Sequence, residues 1–218
     1  TWEYSSDNSI WNNAVVIPDH SNSLAITIIS PHAVSLASNV IADQMVISPG
    51  ATVSIPNSLT LTIFNASGTD LAIDGNLLIT GNLIIDLSST VTTGTASTIT
   101  FNGSAAQTTG ILFPTTLNNL VLNNPAGVNF SSALTINGTL SVLSGSYSGA
   151  GTPDGYHSPA LNFLEIFETG NNISGFSLTP STNTLFPNRI NRQWNLSGTF
   201  TGNKTVRFYW TSADDNAY

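Results

Sequence analysis

Cysteine is absent from this chain of 218 residues, and charged residues are scarce. The lack of cysteine excludes disulfide bonds and thiolate chemistry. Only 7% of the residues are charged, whereas Asp, Glu, Lys and Arg make up about a quarter of an ordinary soluble domain. Ser, Thr, Asn and Gly take the place of charged side chains, so we expect a polar surface that is nearly neutral.

Basic residues are missing from the whole sequence before Arg189. The formal net charge is -8. Nucleic acids and anionic membranes bind proteins largely through Lys and Arg, so the composition argues against both as partners. No apolar run is long enough to span a membrane, so we expect no membrane insertion. The four basic residues are Arg189, Arg192, Lys204 and Arg207.

The composition favours an extracellular or cell-surface location. The chain is rich in Ser, Thr and Asn and poor in Lys, and this composition is the reason for that expectation. Separately, the first residues do not show the pattern of a secretory signal peptide. It ends in a loop-like sequence after an aromatic strand, and we expect it to be a fragment of a longer polypeptide. An intact natural species of 22.9 kDa would contradict that expectation.

Two short phrases of the sequence are nearly identical. Residues 71–81 read LAIDGNLLITG, and residues 134–145 read LTINGTLSVLSG. Each is an alternating strand closed by Asp-Gly or Asn-Gly, residues that tolerate tight turns. Alternation places Leu71 and Ile73 on one face of a strand. Looser echoes occur at residues 59–65 (LTLTIFN), 99–103 (ITFNG) and 117–124 (LNNLVLNN).

The repeats predict an all-β fold: a right-handed parallel β-helix (β-solenoid) with a β-rich C-terminal cap or a partial β-sandwich. Short strands with a turn signal about every 8 to 12 residues are typical of sandwiches, barrels and solenoids. Repetition of the phrases themselves favours the solenoid. The scarcity of charge agrees, because like charges on neighbouring coils would stack over each other. We expect about five or six coils, each rising about 4.8 Å.

The chain divides into four predicted segments. After Ser148 the style of the sequence changes, because the turn-rich stretch GAGTPDGYH precedes longer and more aromatic strands such as KTVRFYW. Solenoids need capped ends, since open edge strands recruit other chains. We therefore assign residues 1–33 to an N-terminal cap and first coil, 34–148 to the solenoid repeats, 149–158 to a linker, and 159–218 to a β-rich C-terminal cap or the start of a β-sandwich.

Three stretches resemble repeat regions of large secreted and surface-attached proteins of Bacteroidetes-type bacteria. Residues 32–63 resemble the opening coils, with the GATVSI unit at 50–55. Residues 117–145 are similar to the most recurrent coil pair, and residues 190–216 resemble the segment that follows such coils. The resemblance implies a parallel β-helix stalk in a long exported protein, often delivered by the type IX secretion route. It also implies roles in adhesion, surface structure and polysaccharide contact.

Residues suited to chemistry are sparse, and we predict no enzyme activity and no catalytic, cofactor-binding or metal-binding residue. The coil region lacks the base that enzymatic β-helices combine with carboxylates in a groove. Asp70 and Asp74 are four residues apart and could share a turn that binds calcium through oxygen ligands. The interpretation we favour is that Asp74 is a turn residue in the place of Asn137, because Asp is frequent in turns. The histidines, His20, His32 and His157, do not have the spacing of metal ligands.

Aromatic residues towards the chain ends have two interpretations. They are candidates for stacking on the apolar faces of sugar rings, or they pack over the ends of the solenoid. We favour end packing, since large aromatics dominate burial. The candidate stacking residues are Trp2, Trp11, Trp194 and Trp210. Calcium is the one cofactor considered, with Asp214 and Asp215 in the acidic C-terminal loop as its candidate ligands.

We therefore expect a non-catalytic structural or adhesive stalk module of an exported bacterial surface protein. One alternative is a carbohydrate-binding or polysaccharide-degrading β-helix, which a groove with convergent carboxylates and exposed aromatics would favour. Another is a self-assembling extracellular filament subunit. The expected partners are other segments of a longer polypeptide, surface polysaccharide and neighbouring copies of the chain.

Overall fold

The computed structural model describes residues 2–4, 9–10, 12–132, 134–144 and 147–149, and the strand segments 164–167, 173–181, 193–200 and 205–208. Every regular element in this part of the chain is a β-strand. The strands of the coils are β3 Ile26–Ile28, β4 Ala33–Ser35, β5 Val40–Ala42, β6 Met45–Ile47, β7 Thr52–Ile55, β8 Thr60–Ile63, β9 Leu71–Ile73, β10 Asn76–Ile79, β11 Asn82–Ile85, β12 Val91–Thr93, β13 Thr98–Phe101, β14 Gln107–Thr108, β15 Thr116–Leu117, β16 Asn119–Asn123, β17 Val128–Phe130, β18 Thr135–Ile136, β19 Leu140–Ser144 and β20 Tyr147–Gly149. The flanking strands are β1 Glu3–Tyr4, β2 Asn12–Asn13, β21 Leu164–Phe167, β22 Ile173–Ser181, β23 Gln193–Phe200 and β24 Thr205–Phe208.

The coil strands wind into a parallel β-helix with three faces, which confirms the predicted fold class. Face 2 is one continuous parallel ladder of six strands, in the order β4, β7, β10, β13, β16 and β19. Face 1 contains the ladder of β3, β6, β9 and β12, followed by the pair β15 and β18. Face 3 contains the ladder of β5, β8 and β11, followed by that of β14, β17 and β20.

The apolar interior is built by side chains that are in register from coil to coil. On face 2, Val53, Leu77, Ile99 and Leu120 occupy one position in successive strands, and each is at most 1% exposed. The residues between them in sequence point outward, because side chains alternate along a strand. The outward column of the same strands, which is uncharged, is Ser35, Ser54, Leu78, Thr100, Val121 and Ser141.

Three aromatic side chains join the aliphatic interior in the later coils. Phe101, Phe113 and Phe130 are buried and contact one another with ring centroids 5.6 to 6.2 Å apart. Phe101 and Phe130 meet edge to face, an arrangement that aromatic rings favour. These three rings therefore fill the interior around β13 and β17.

The two repeated phrases lie at one corner of the solenoid. Asp74-Gly75 follows β9, and Asn137-Gly138 follows β18, so both occupy the turn from face 1 to face 2. The backbone N–H of Asp74 donates to Ile47 O at 2.9 Å, and that of Asn137 donates to Leu117 O at 2.8 Å. Repeating the phrase therefore rebuilds the same corner, with the same bond to the coil below.

The looser echoes occupy other places than the phrase they resemble. Ile99 and Phe101 are in register with Leu77 and Ile79 on face 2, so the echo ITFNG corresponds to the second half of LAIDGNLLITG. LTLTIFN covers β8 on face 3. One pattern of alternation followed by Asn or Gly thus builds strands on more than one face, since all faces bury alternate residues.

Glycine at the corners is required by close approach of the coil below. A Cβ on Gly81 would lie 2.2 Å from Pro56 O and 2.3 Å from Leu59 O. A Cβ on Gly75 would lie 2.3 Å from Ser48 O. All three neighbours are backbone oxygens, which cannot rotate away, so the recurrence of glycine here has a steric cause.

Different strand arrangements flank the coils. Near the N-terminus, β1 and β2 form a short antiparallel pair, and Trp2 packs against the core. At the other end, β22 pairs antiparallel with β19, and β23 pairs antiparallel with β22. The ladder of face 2 therefore continues beyond the solenoid but changes from parallel to antiparallel. β21 and β24 form a separate antiparallel pair.

Candidate functional surfaces

The four candidate stacking tryptophans are only partly within the described structure. Trp2 is partly buried and packs against the apolar core. Such a contact is what the end-packing interpretation expects, whereas sugar stacking needs an exposed ring. Trp194 lies on β23, whose side chains are outside the description. Trp11 and Trp210, and the candidate calcium ligands Asp214 and Asp215, lie outside the described residues.

Asp70 and Asp74 do not share a turn, and Asp74 occupies the same corner as Asn137, which is the interpretation that the sequence favours. Asp70 and Asp74 flank β9 at its two ends, because the three residues between them form that strand. Asp70 is fully buried and accepts hydrogen bonds from the backbone N–H groups of Ala66 at 2.9 Å and Thr90 at 2.6 Å. Its carboxylate therefore fastens the loop before β9 to the coil above. Within the described residues, no group of three or more His, Asp or Glu could hold a metal ion.

Replacing Asp70 with alanine should lower the free energy of unfolding by about 2 to 4 kcal/mol, because two backbone donors lose their acceptor at a buried site. Asp74→Ala is the matched control, since Asp74 is a partly exposed corner residue, and it should cost less than about 1 kcal/mol. Urea unfolding followed by circular dichroism measures both. Equal losses in the two variants would contradict the assigned role of Asp70.

Polar side chains form ladders between adjacent coils at the start of face 2. The Asn119 side chain donates to Ser97 O at 3.0 Å and accepts from the Thr139 N–H at 2.9 Å. Asn76 donates to Thr52 Oγ1 at 3.4 Å in the same column. These bonds join coils without introducing charge, as the asparagine-rich turns predict.

Gln107 and Asn124 fill a second corner with amide groups. The Gln107 Nε2 donates to Ile79 O at 3.0 Å and to Gly81 O at 3.1 Å. Its Oε1 accepts from the Gly103 N–H at 3.1 Å and from Asn124 Nδ2 at 2.8 Å. A single glutamine side chain on β14 therefore bonds to the coil below, at Ile79 and Gly81, and to the coil above, at Asn124. Nothing in the alternating pattern of the sequence distinguishes this glutamine from other polar residues.

An exposed aromatic pair lies beside face 3. The rings of His20 and Phe64 stack with centroids 5.5 Å apart and an interplanar angle of 25°. Phe64 is 45% exposed and begins an exposed loop that extends to Thr69. The backbone N–H of His20 donates to Ile41 O at 3.0 Å, which fixes this segment against β5.

Asp19 stabilises the turn that presents His20. The hydroxyl and the N–H of Ser21 donate to Asp19 Oδ1 at 2.6 and 2.8 Å, and these bonds lower the pKa of the carboxyl below its ordinary value. Because this pKa is lowered, the ionised Asp19 carboxyl stabilises the folded turn at any pH above its unfolded-state pKa. That stabilisation is lost as the pH falls through the folded-state pKa. The turn is therefore weakened only in acid.

Face 3 is interrupted between β11 and β14. β11 is the last strand of the ladder formed with β8 and β5, and β14 pairs with β17 on its other side. Leu83 and Ile85 of β11 are only partly buried, whereas Leu61 and Ile63, in register with them on β8, are 0% exposed. The sequence does not reveal this break, because the apolar run of β11, residues 83–85, resembles the apolar run of β5, which is paired with β8.

No helix of the described chain is long and apolar enough to cross a membrane. The fold and its surfaces define a β-solenoid with an almost uncharged, ladder-forming exterior. No family model matches the chain, and no curated protein or solved structure is significantly similar to it.

Proposed function

We propose that this chain is a non-catalytic stalk module of an exported bacterial surface protein, with a structural or adhesive role. The observation that carries the proposal is the unbroken ladder of face 2, which links all coils from β4 to β19 over one apolar interior. A stack of coils in which each contacts its neighbours extends in one dimension and suits a spacer. The surface resists non-specific ionic binding, because charged side chains are few.

Carbohydrate contact is the second candidate function. The stacked His20 and Phe64 rings offer an exposed apolar platform, with the polar loop residues Asn65 and Ser67 nearby in sequence. The apolar face of a sugar packs well on such rings. A glycan array probed with the full chain and with Phe64→Ala tests this candidate, which requires a signal in the first and its loss in the second.

Filament assembly through the β19 end of face 2 is less well supported. The edge of β19 is already occupied by β22 in antiparallel pairing. A second copy stacking end to end on this face would have to displace that pairing. The filament alternative therefore needs a surface other than this edge.

Force spectroscopy on the full chain, held by its two ends, tests the stalk proposal. The register pairs Ile26 with Met45, Met45 with Leu71, and Leu71 with Val91, so successive coils contain about 19 to 26 residues. Coils that peel one at a time should each add roughly 60 to 90 Å of contour length, at about 3.3 to 3.6 Å per residue. Release of the whole solenoid in one event at low force would contradict a stalk role.

A further inference from the structure

We propose that the free edge of β11 is a strand-addition site for an extended peptide segment that carries a basic residue just after its strand. This inference goes beyond the stalk role, because it gives one side of the rod a specific partner. The geometry that supports it is the interruption of face 3 between β11 and β14.

The backbone of β11 has hydrogen-bonding groups directed away from β8. The N–H groups of Asn82 and Asp86 donate to Leu59 O and Ile63 O, both at 2.9 Å. In a parallel ladder, alternate residues bond to opposite sides, so Leu83 and Ile85 direct their N–H and C=O groups towards the gap. Within residues 12–132, which the structure describes without a break, neither residue has a hydrogen-bonding partner on that side.

The side-chain amide of Gln107 lies at the start of the gap above β11. Gln107 Nε2 bonds to Gly81 O, which is the carbonyl that precedes those of Leu83 and Ile85 on the same edge. The side chain thus occupies the corner but leaves the strand itself open. An added strand would therefore continue the ladder from the position at which Gln107 stops.

The side chains at the gap favour an apolar, alternating partner. Leu83 and Ile85 point towards the interior but are incompletely covered, and the apolar residues of an added strand would cover them as β11 covers β8. Ile84 points outward and is 50% exposed, and Leu87, just beyond the strand, is 76% exposed. Strand addition obtains affinity from main-chain bonds and specificity from alternate side chains.

Charge complementarity is the reason for the basic residue in the proposed peptide. Asp86 directly follows β11, and Asp43 occupies the corresponding corner two coils below, since Ala42, Ile63 and Ile85 are in register. The sequence contains no Lys or Arg before Arg189 that could neutralise this corner. A strand added parallel to β11 would leave the gap beside Asp86, so a Lys or Arg there would be attracted and an acidic residue repelled.

The test uses the full chain and three synthetic peptides, TVTVTKK, TVTVTEE and TVTPTKK, with blocked ends. We expect saturable binding of TVTVTKK by fluorescence anisotropy, at least tenfold weaker binding of TVTVTEE, and none of TVTPTKK. Binding should persist within threefold in Leu83→Ala, which keeps the N–H, and disappear in Leu83→Pro, which removes it. Equal loss in both variants, or equal binding of all peptides, would overturn the proposal.

Amide hydrogen exchange on the unmodified chain keeps the test independent of how the variants fold. The N–H groups of Leu83 and Ile85 should exchange at least a hundredfold faster than that of Ile84, and TVTVTKK should slow them. If Leu83 is already as protected as Ile84 without peptide, the edge is covered and the proposal fails. Dimerisation of the chain through this edge, abolished by Leu83→Pro, would equally overturn the choice of a separate peptide partner.

Discussion

Replacing Gly81 with alanine should lower the free energy of unfolding by about 3 kcal/mol or more. The added methyl group would lie 2.2 Å from Pro56 O and 2.3 Å from Leu59 O, so the corner must move away from the coil below. Such a movement would also strain the bond from the Gly81 N–H to Ile55 O, which is 2.9 Å long. Urea unfolding monitored by circular dichroism measures the loss.

Gly110→Ala is the matched control for this substitution. A Cβ on Gly110 would have no heavy atom within 4 Å, and the backbone there does not require glycine. Its stability should stay within about 0.5 kcal/mol of the parent or rise slightly, because alanine restricts the unfolded chain. Similar destabilisation by both substitutions would show that coil contact is not the reason for glycine at the corners.

Replacing Leu77 with aspartate should abolish cooperative folding of the coils. Leu77 is 0% exposed at the centre of the face 2 column, between Val53 and Ile99. An unpaired charge placed there loses its hydration without gaining a partner, which costs several kcal/mol in addition to the lost burial. The total loss of stability therefore approaches the whole free energy of unfolding of a typical domain, which is about 5 to 15 kcal/mol.

The control for Leu77 is its neighbour in the same strand. Leu78 points outward, and its partners in register, Ser54 and Thr100, are uncharged. Leu78→Asp should therefore change the free energy of unfolding by about 1 kcal/mol or less. Thermal unfolding and limited proteolysis distinguish the two variants, and a folded, protease-resistant Leu77→Asp protein would contradict the buried column.

The sequence predicts the architecture because the same physical requirement recurs in every coil. Alternation predicts that Leu71 and Ile73 share a face, and both are 0% exposed. The recurrence of Asp-Gly and Asn-Gly at one corner follows from the close approach of the backbone below. Periodicity and turn chemistry are local properties, and a sequence displays local properties directly.

Features that depend on contacts between coils could not be predicted. Asp70 has the sequence appearance of a turn acid, yet it is buried because two N–H groups from separate segments converge on it. The bridging role of Gln107 and the break in face 3 after β11 depend on where β14 lies relative to the coil that contains β11. The number of faces likewise emerges only when corners stack, since a strand of given length suits two or three faces.

The exported stalk role stays a proposal, and its physical basis is the parallel stacking of coils. The absence of cysteine allows single pairs of spin labels to be placed without background. Ser35 lies three, four and five strand-to-strand steps along face 2 from Thr100, Val121 and Ser141. Cysteine pairs at these positions therefore sample increasing numbers of coil steps along one column.

Distances between these spin labels, measured by double electron–electron resonance, test the parallel stacking of the coils most directly. With about 4.8 Å per coil, the three pairs should give backbone separations near 14, 19 and 24 Å, rising by one step each time. Distances that fail to increase in this order, as in antiparallel sheets packed face to face, would contradict the parallel solenoid and remove the basis of the stalk.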